Sequence, residues 1–248
     1  MQSKVSHKRR NTVLFIPPAI GGLTSHSGLG YHSSVALTEP SYVSDHNSHA
    51  ITALLDALQQ HYHCSVDGLS SAFIEHHFRQ RELPAKAHLI EAGQVAEDVY
   101  FIHRGVLRVY YIDQQGNEVN QQFYQAGEVI APVLSLTTQE ASPFYLQALS
   151  EADILVAHYP SLHRSGRNNI DWLAAENAIL KSVYLKTARR EAQMLLGSAE
   201  QRYRWFLKDS PELAKQLPLY QIASYLGVTP VSLSRLRKQI KAASTPRP

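Results

Sequence analysis

The sequence predicts an α+β protein: an N-terminal antiparallel barrel or jelly roll, then one long helix, then a compact C-terminal helical domain. Three observations predict it. Between 82 and about 158, short runs rich in Val, Ile, Tyr and Phe are separated by glycine-bearing turns at 91–94, 104–105, 114–117 and 126–127, the pattern of antiparallel strands joined by tight turns. From 169 to 196, largely apolar positions recur at alternating steps of three and four, which marks a helix with one continuous stripe. At 219–241, two short amphipathic segments flank Gly227, as in a pair of helices that reverses at a glycine.

Composition bounds the reading. The chain has 248 residues, 44% of them hydrophobic, enough for two modest cores. The formal net charge of +3 averages three unlike regions: four cations and no acid in 1–38, 15 cations against 21 acids in 39–217, and five cations against no acid from 218 onward. A single cysteine, Cys64, rules out an internal disulfide and fits a cytoplasmic location. The only apolar run near the start, 13–16, is stopped by Pro17 and Pro18 and is too short for a signal-peptide core or a membrane span. No membrane partner is expected.

Taken in order, residues 1–46 are rich in Ser, Gly, His and Pro without periodicity and are predicted to be a disordered leader. Ile51, Leu54, Leu55 and Leu58 mark a first amphipathic helix, and 69–78 a second. The strands that follow complete a sheet domain over 47–160. The long helical segment belongs to 161–197, and its stripe runs through Ile170, Leu173, Asn177, Leu180, Tyr184, Thr187 and Met194. Asn177 among apolar positions favours pairing with a second copy, because one buried amide fixes register across a two-fold axis. Leu173, Asn177, Leu180 and Tyr184 are therefore the dimerisation candidates. Gly197 is the expected hinge, and Ser198 with Gln201 forms a capping box that opens the domain 198–248. Tyr203, Trp205, Phe206 and Leu207 are expected in its core.

Within that domain Ile222, Ala223, Leu226, Val228, Leu233 and Leu236 fall at the spacing two packed helices need. Thr229 reads as an N-cap and Pro230 as the first helical residue. The outward side of the second helix carries hydrogen-bonding and cationic residues, and no acid follows position 217. A solvated face normally mixes signs, so this side suits double-stranded DNA.

The segments HLIEAGQVAEDVYFIHRGVLRVYYIDQQGNEV (88–119), QFYQAGEVI (122–130), SAEQRYRWFLKDSPEL (198–213) and IASYLGVTPVSLSRLRK (222–238) together resemble the Crp-Fnr family of bacterial transcription regulators over about 50–243. The resemblance implies an N-terminal double-stranded β-roll of the jelly-roll, cyclic-nucleotide-binding-like kind as a sensor domain over 47–160, a long dimerisation helix and a C-terminal winged helix-turn-helix. It also implies a homodimer on an inverted-repeat operator, with RNA polymerase as an admissible partner. Relatives that bind cyclic AMP use a glycine–glutamate pair and, further on, an arginine with a small hydroxyl. Here the arginine position falls near Ser142 and the ribose-binding glutamate near Pro132, and no Arg or Lys lies between Arg108 and Arg164. A phosphate needs such a cation, so cyclic AMP in the usual pose is not expected. Gly127, Glu128 and Ser142 remain as effector-site candidates, the effector being an unknown small molecule or none. Phe101, Val109, Tyr111, Phe123, Leu134, Phe144 and Leu146 are predicted to line the roll interior.

By the same resemblance Pro230, Val231, Ser232 and Arg235 reach base edges. Arg235 matches a family arginine and is suited to a bidentate contact with guanine. Val231 stands where a glutamate is common and offers only an apolar surface. Ser234, Arg237 and Lys238 are assigned to phosphate or its flanks. The competing reading is a cupin-like metal-dependent enzyme built on thirteen histidines. No His-x-His precedes a suitably spaced glutamate in the strand region, and no nucleophile elbow or phosphate loop is present. The chain is read as no enzyme, with no catalytic residue, no metal ligand and no cofactor.

Overall fold

The computed structural model describes residues 45–244, with side chains over 48–240. The leader assigned to 1–46 lies outside the described residues, apart from Asp45 and His46, which open the first helix. No helix among the described residues is long and apolar enough to cross a membrane.

Two helices, α1 (Asp45–Gln60) and α2 (Ser71–His77), precede the roll. Ser70 caps α2 by accepting from Phe73 N at 3.1 Å. The next residue after α2 already begins β1 (Phe78–Leu83), four positions before the expected change of period at Glu82. Arg79, Gln80 and Arg81 hide that strand from a hydrophobicity reading; it is recognisable only by its pairing with β8 (Ala152–His158). The remaining strands are β2 (His88–Ile90), β3 (Asp98–Arg104), β4 (Val106–Ile112), β5 (Glu118–Gln125), β6 (Val129–Ile130) and β7 (Tyr145–Ala148). They form two antiparallel four-stranded sheets, ordered β1-β8-β3-β6 and β2-β7-β4-β5. The expected jelly-roll-like pair of sheets is therefore present.

Period-two alternation distributes the strand residues among three cores. Tyr100, Ile102, Leu107, Val109, Tyr124, Leu146 and Ile154 fill the space between the sheets. On the outer face of the first sheet, Val99, Phe101 and Leu155 pack under α1, joined by Leu162 of α4 (Tyr159–Gly166) and by Trp172 and Ala175 of α5 (Ile170–Leu196). On the outer face of the second sheet, Val106 and Phe123 join the C-terminal domain.

This alternation corrects part of the predicted interior. Phe101 and Phe123 are buried, but on the two outer faces. Tyr111 is exposed one residue from the end of β4; the register shift between Val109 and Tyr110 places its extra residue, Gln121, in β5 and leaves the alternation of β4 unchanged, with Tyr110 on the outer side beside Arg108 and Tyr145. Leu134 is exposed because its segment is α3 (Val133–Thr138), a helix the sequence reading did not anticipate. Val109 and Leu146 are interior as expected, and half-buried Phe144 packs at the edge of that core.

The C-terminal domain consists of α6 (Ala199–Asp209), α7 (Pro211–Gln216), α8 (Leu219–Tyr225) and α9 (Pro230–Ser244). No strand follows His158 among the described residues, so the wing implied by the resemblance is not part of the described domain. Only Leu217 and Pro218 separate α7 from α8, too short a connection for a strand pair.

Candidate nucleic-acid interface

A reciprocal capping box fixes the start of the domain: Gln201 N donates to Ser198 Oγ at 3.3 Å, and Ser198 N donates to Gln201 Oε1 at 2.8 Å. From there α6 turns Tyr203 and Phe206 into a core shared with Leu213, Ile222, Tyr225 and Leu233. Burying Phe206 contributes roughly 2–3 kcal/mol. Trp205 packs at the rim of that core, while Leu207 is exposed, since three successive helical positions span too wide an arc to face one side.

The connection between α8 and α9 depends on Gly227. Its φ is +64°, and a Cβ there would stand 2.8 Å from Met194 Cε, so both backbone conformation and space call for glycine. Ser232 N donates to Thr229 Oγ1 at 3.1 Å and the two hydroxyls lie 2.8 Å apart, which makes Thr229 the N-cap of α9. Leu233, Leu236 and Ile240 hold the inner side of α9. Pro230, Val231, Ser232, Arg235, Arg237 and Lys238 are exposed and Ser234 is half-buried. Val231, Arg235 and Lys238 follow at steps of four and three and form the centre of the outward face, with Arg237 on its flank. Val231, an apolar side chain, is 60% exposed there.

The helix pair is seated on the roll by a polar network that the sequence reading missed. Arg108 of β4, 5% exposed, donates to Gln147 Oε1 at 2.9 and 2.7 Å, to Asn120 Oδ1 at 3.2 Å and to Gln221 Oε1 of α8 at 3.3 Å. It also pairs with Glu118 at 2.6 Å. Asn120 Nδ2 donates to the Gln221 backbone and side chain, and Asn120 N donates to Ser224 Oγ at 3.0 Å. Arg190 of α5 donates to the carbonyls of Asn120 at 3.2 Å and Tyr225 at 3.0 Å, with its guanidinium 4.8 Å from the Tyr225 ring. Burial pulls that guanidinium below its ordinary pKa, opposed by the neighbouring Tyr225 and Tyr111. Arg202 donates to Leu226 O at 2.7 Å. The sequence signal for Arg108 was a lone arginine inside the apolar run VLRVYYI.

On α5 the four dimerisation candidates do not share one environment: Tyr184 projects outward, while Leu180 stands at the edge of the side packed on the roll. Leu173 is half-buried, while Asn177, Leu180 and Tyr184 are exposed. The packed side is formed by Trp172, Ala175 and Ile179. Gly197 ends α5, and a Cβ there would meet Gln193 O at 2.7 Å.

The effector candidates do not converge. Glu128 Oε1 accepts from Lys186 Nζ of α5 at 2.6 Å and Oε2 from Gln125 N at 2.8 Å, so this carboxylate ties the roll to the long helix. Gly127, at φ +87°, and Glu128 border a hollow beside α1. Ser142 is not among the walls of that hollow; its hydroxyl, buried, donates to Phe144 O at 3.1 Å. α3 contains no cation.

Residues 80–165 match the family model of the cyclic nucleotide-binding domain. The roll is a domain of that type. Its solved neighbours extend over the C-terminal helices as well. CLP from Xanthomonas campestris aligns with a TM-score of 0.58 at 16% identity, over 72% of this chain and 96% of CLP. FixK2 from Bradyrhizobium japonicum gives 0.58 at 17%, over 68% and 90%. A CooA mutant from Carboxydothermus hydrogenoformans gives 0.59 at 18%, over 77% and 84%. These Crp-Fnr-type regulators share the fold of this chain. No curated protein sequence matches it. For the metal-enzyme alternative, no group of three or more His, Cys, Asp or Glu is placed to hold a metal among the described residues.

Proposed function

We propose that the chain is a homodimeric, sequence-specific DNA-binding transcription regulator that reads an inverted repeat through α9. The observation that carries this is the outward face of α9, where Arg235, Arg237 and Lys238 are exposed with no acid anywhere in the helix. Arg235 makes the bidentate contact to guanine, Val231 meets a thymine methyl, and Pro230 and Ser232 complete the base-facing group. Ser234, Arg237 and Lys238 serve phosphate. The working division is a leader (1–46), the cyclic nucleotide-binding-type roll (47–160), the dimerisation helix (161–197) and the DNA-binding domain (198–248). The shared fold supports the reading, and the structure of CLP is described as that of a c-di-GMP-responsive global regulator of gene expression.

Selection of binding sites from random duplex DNA tests it. An inverted repeat is expected, with half-sites about one helical turn apart. Arg235→Ala then weakens the selected site by roughly tenfold to a hundredfold while sparing unrelated DNA. Failure to enrich any sequence refutes the proposal, and an equal loss on all DNA reassigns Arg235 to phosphate.

A further inference from the structure

The side of α5 that faces the roll encloses something the regulator reading does not use. Trp172, Glu176, Ile179 and Leu180 border an apolar cavity of about 100 Å³ on the outer face of the first sheet. Its other walls come from α1, β1, β3, β6, α3 and α4, among them Leu58, Phe78, Val99, Ala131, Leu136 and Leu162. Close-packed interiors contain few voids larger than a water molecule. This one is partly open, with exposed Leu180 at its edge; a hollow lined so largely by apolar side chains offers water few partners and suits small apolar molecules.

One charged group interrupts the lining. Glu176 Oε1 accepts from Tyr159 OH at 2.7 Å and lies 2.9 Å from His163 Nδ1. Both bonds use the same oxygen, and Oε2 is left to accept from another donor. The carboxylate is 14% exposed and is held by these two contacts at the edge of the apolar hollow. This arrangement selects an apolar body with a single donor, on the order of six to eight non-hydrogen atoms in size.

We propose that this cavity, outside the roll rather than between its sheets, binds a small uncharged molecule that is largely apolar and carries one hydroxyl. Glu176 takes the hydroxyl proton in a hydrogen bond, and the aliphatic and aromatic walls take the rest. The same helix carries Asn177 and Tyr184 on its far side, and Leu180 at the cavity edge is itself partly exposed. The role of such a ligand as effector rests on the regulator reading; its binding does not.

Calorimetry on the full chain tests the site, with benzyl alcohol as probe and ethylbenzene as a near-isosteric molecule without the donor. Saturable one-to-one binding of benzyl alcohol is expected. Ala131→Phe, whose ring takes up the space, weakens both probes about tenfold or more. Glu176→Leu raises the ratio of benzyl alcohol to ethylbenzene dissociation constants by about tenfold or more. If Ala131→Phe does not fold, the ratio in Glu176→Leu decides alone. Absence of saturable binding by the native chain, or an unchanged ratio in Glu176→Leu, overturns the proposal. The calorimetry contains no DNA and the DNA selection contains no probe, so failure of one reading is distinguishable from failure of the other.

Discussion

Arg108→Met probes how the C-terminal helices are seated on the roll. The guanidinium is buried, bonds Gln147, Asn120, Gln221 and Glu118, and lies 4.1 Å from the centre of the Tyr110 ring. Methionine keeps much of the stem and removes every donor. Glu118, whose side chain is 51% exposed, turns to water at little cost. Gln221 Oε1 keeps the Asn120 amide as donor. Asn120 Oδ1 loses Arg108, the donor it has in the structure, and Gln147 Oε1 loses both of its bonds. Each such orphaned acceptor costs about 1–3 kcal/mol, most where it is buried, as Asn120 is. Relief from holding a charge out of water offsets part of this, leaving a net loss of about 3 kcal/mol. Urea unfolding followed by circular dichroism measures the loss, and amide exchange over 221–226 should accelerate. A loss below about 1 kcal/mol, or unchanged exchange in α8, would show that the guanidinium does not hold the helix pair to the roll.

Three further outcomes are expected. Tyr184→Asp, at a position 71% exposed on α5, should leave the fold intact and shift sedimentation from dimer to monomer; an unchanged dimer would place the interface elsewhere. Titration with cyclic AMP should give no saturable isotherm at micromolar levels, because the buried Ser142 hydroxyl is bonded to Phe144 and α3 offers no cation; a clear isotherm refutes this. Gly227→Ala should lower stability by about 1–2 kcal/mol from the positive φ alone, with a further cost for moving Met194, measurable by thermal unfolding. A neutral effect would contradict the turn geometry.

The elements legible in the sequence were those whose side chains repeat. The glycine turns closing β3–β4 and β4–β5 stand where they were expected, with Gly105 and Gly116 at positive φ. The capping box at Ser198 and the Thr229–Pro230 start of α9 depend on three or four adjacent residues and were equally visible. The stripe on α5 was legible as a stripe but its direction was not: the side packed on the roll is set by Trp172 and Ala175, and Leu180 stands at its edge. What failed was whatever depends on phase. Val109 and Tyr111 have the same parity in the sequence, yet Val109 is buried and Tyr111, near the end of β4 where the sheets no longer cover it, is exposed. Phe101 and Phe123 looked like interior residues because both faces of each sheet are covered, which a period-two pattern cannot distinguish from one buried face. α3 lacks a side-chain cap and spans six residues, too few to show helical periodicity.

The polar network was illegible for a different reason. Asn120 and Gln221 are 101 positions apart, and each reads alone as a solvated amide. Burial of an arginine among apolar strand residues is costly unless acceptors close around it, and only the chain's return through α5 and α6 brings Gln221 to that place. The consequence is that α5 is tied at three points along one side. Trp172 and Ala175 anchor it to the roll, Lys186 reaches Glu128, and Arg190 bridges β5 and α8. Lys186 and Arg190 are four residues apart, so one face of one helix turn contacts both the roll and the C-terminal helices. A displacement of α5 cannot leave both contacts unchanged. Any ligand that binds one position of this helix better than another therefore biases the seating of α8, whichever surface it binds.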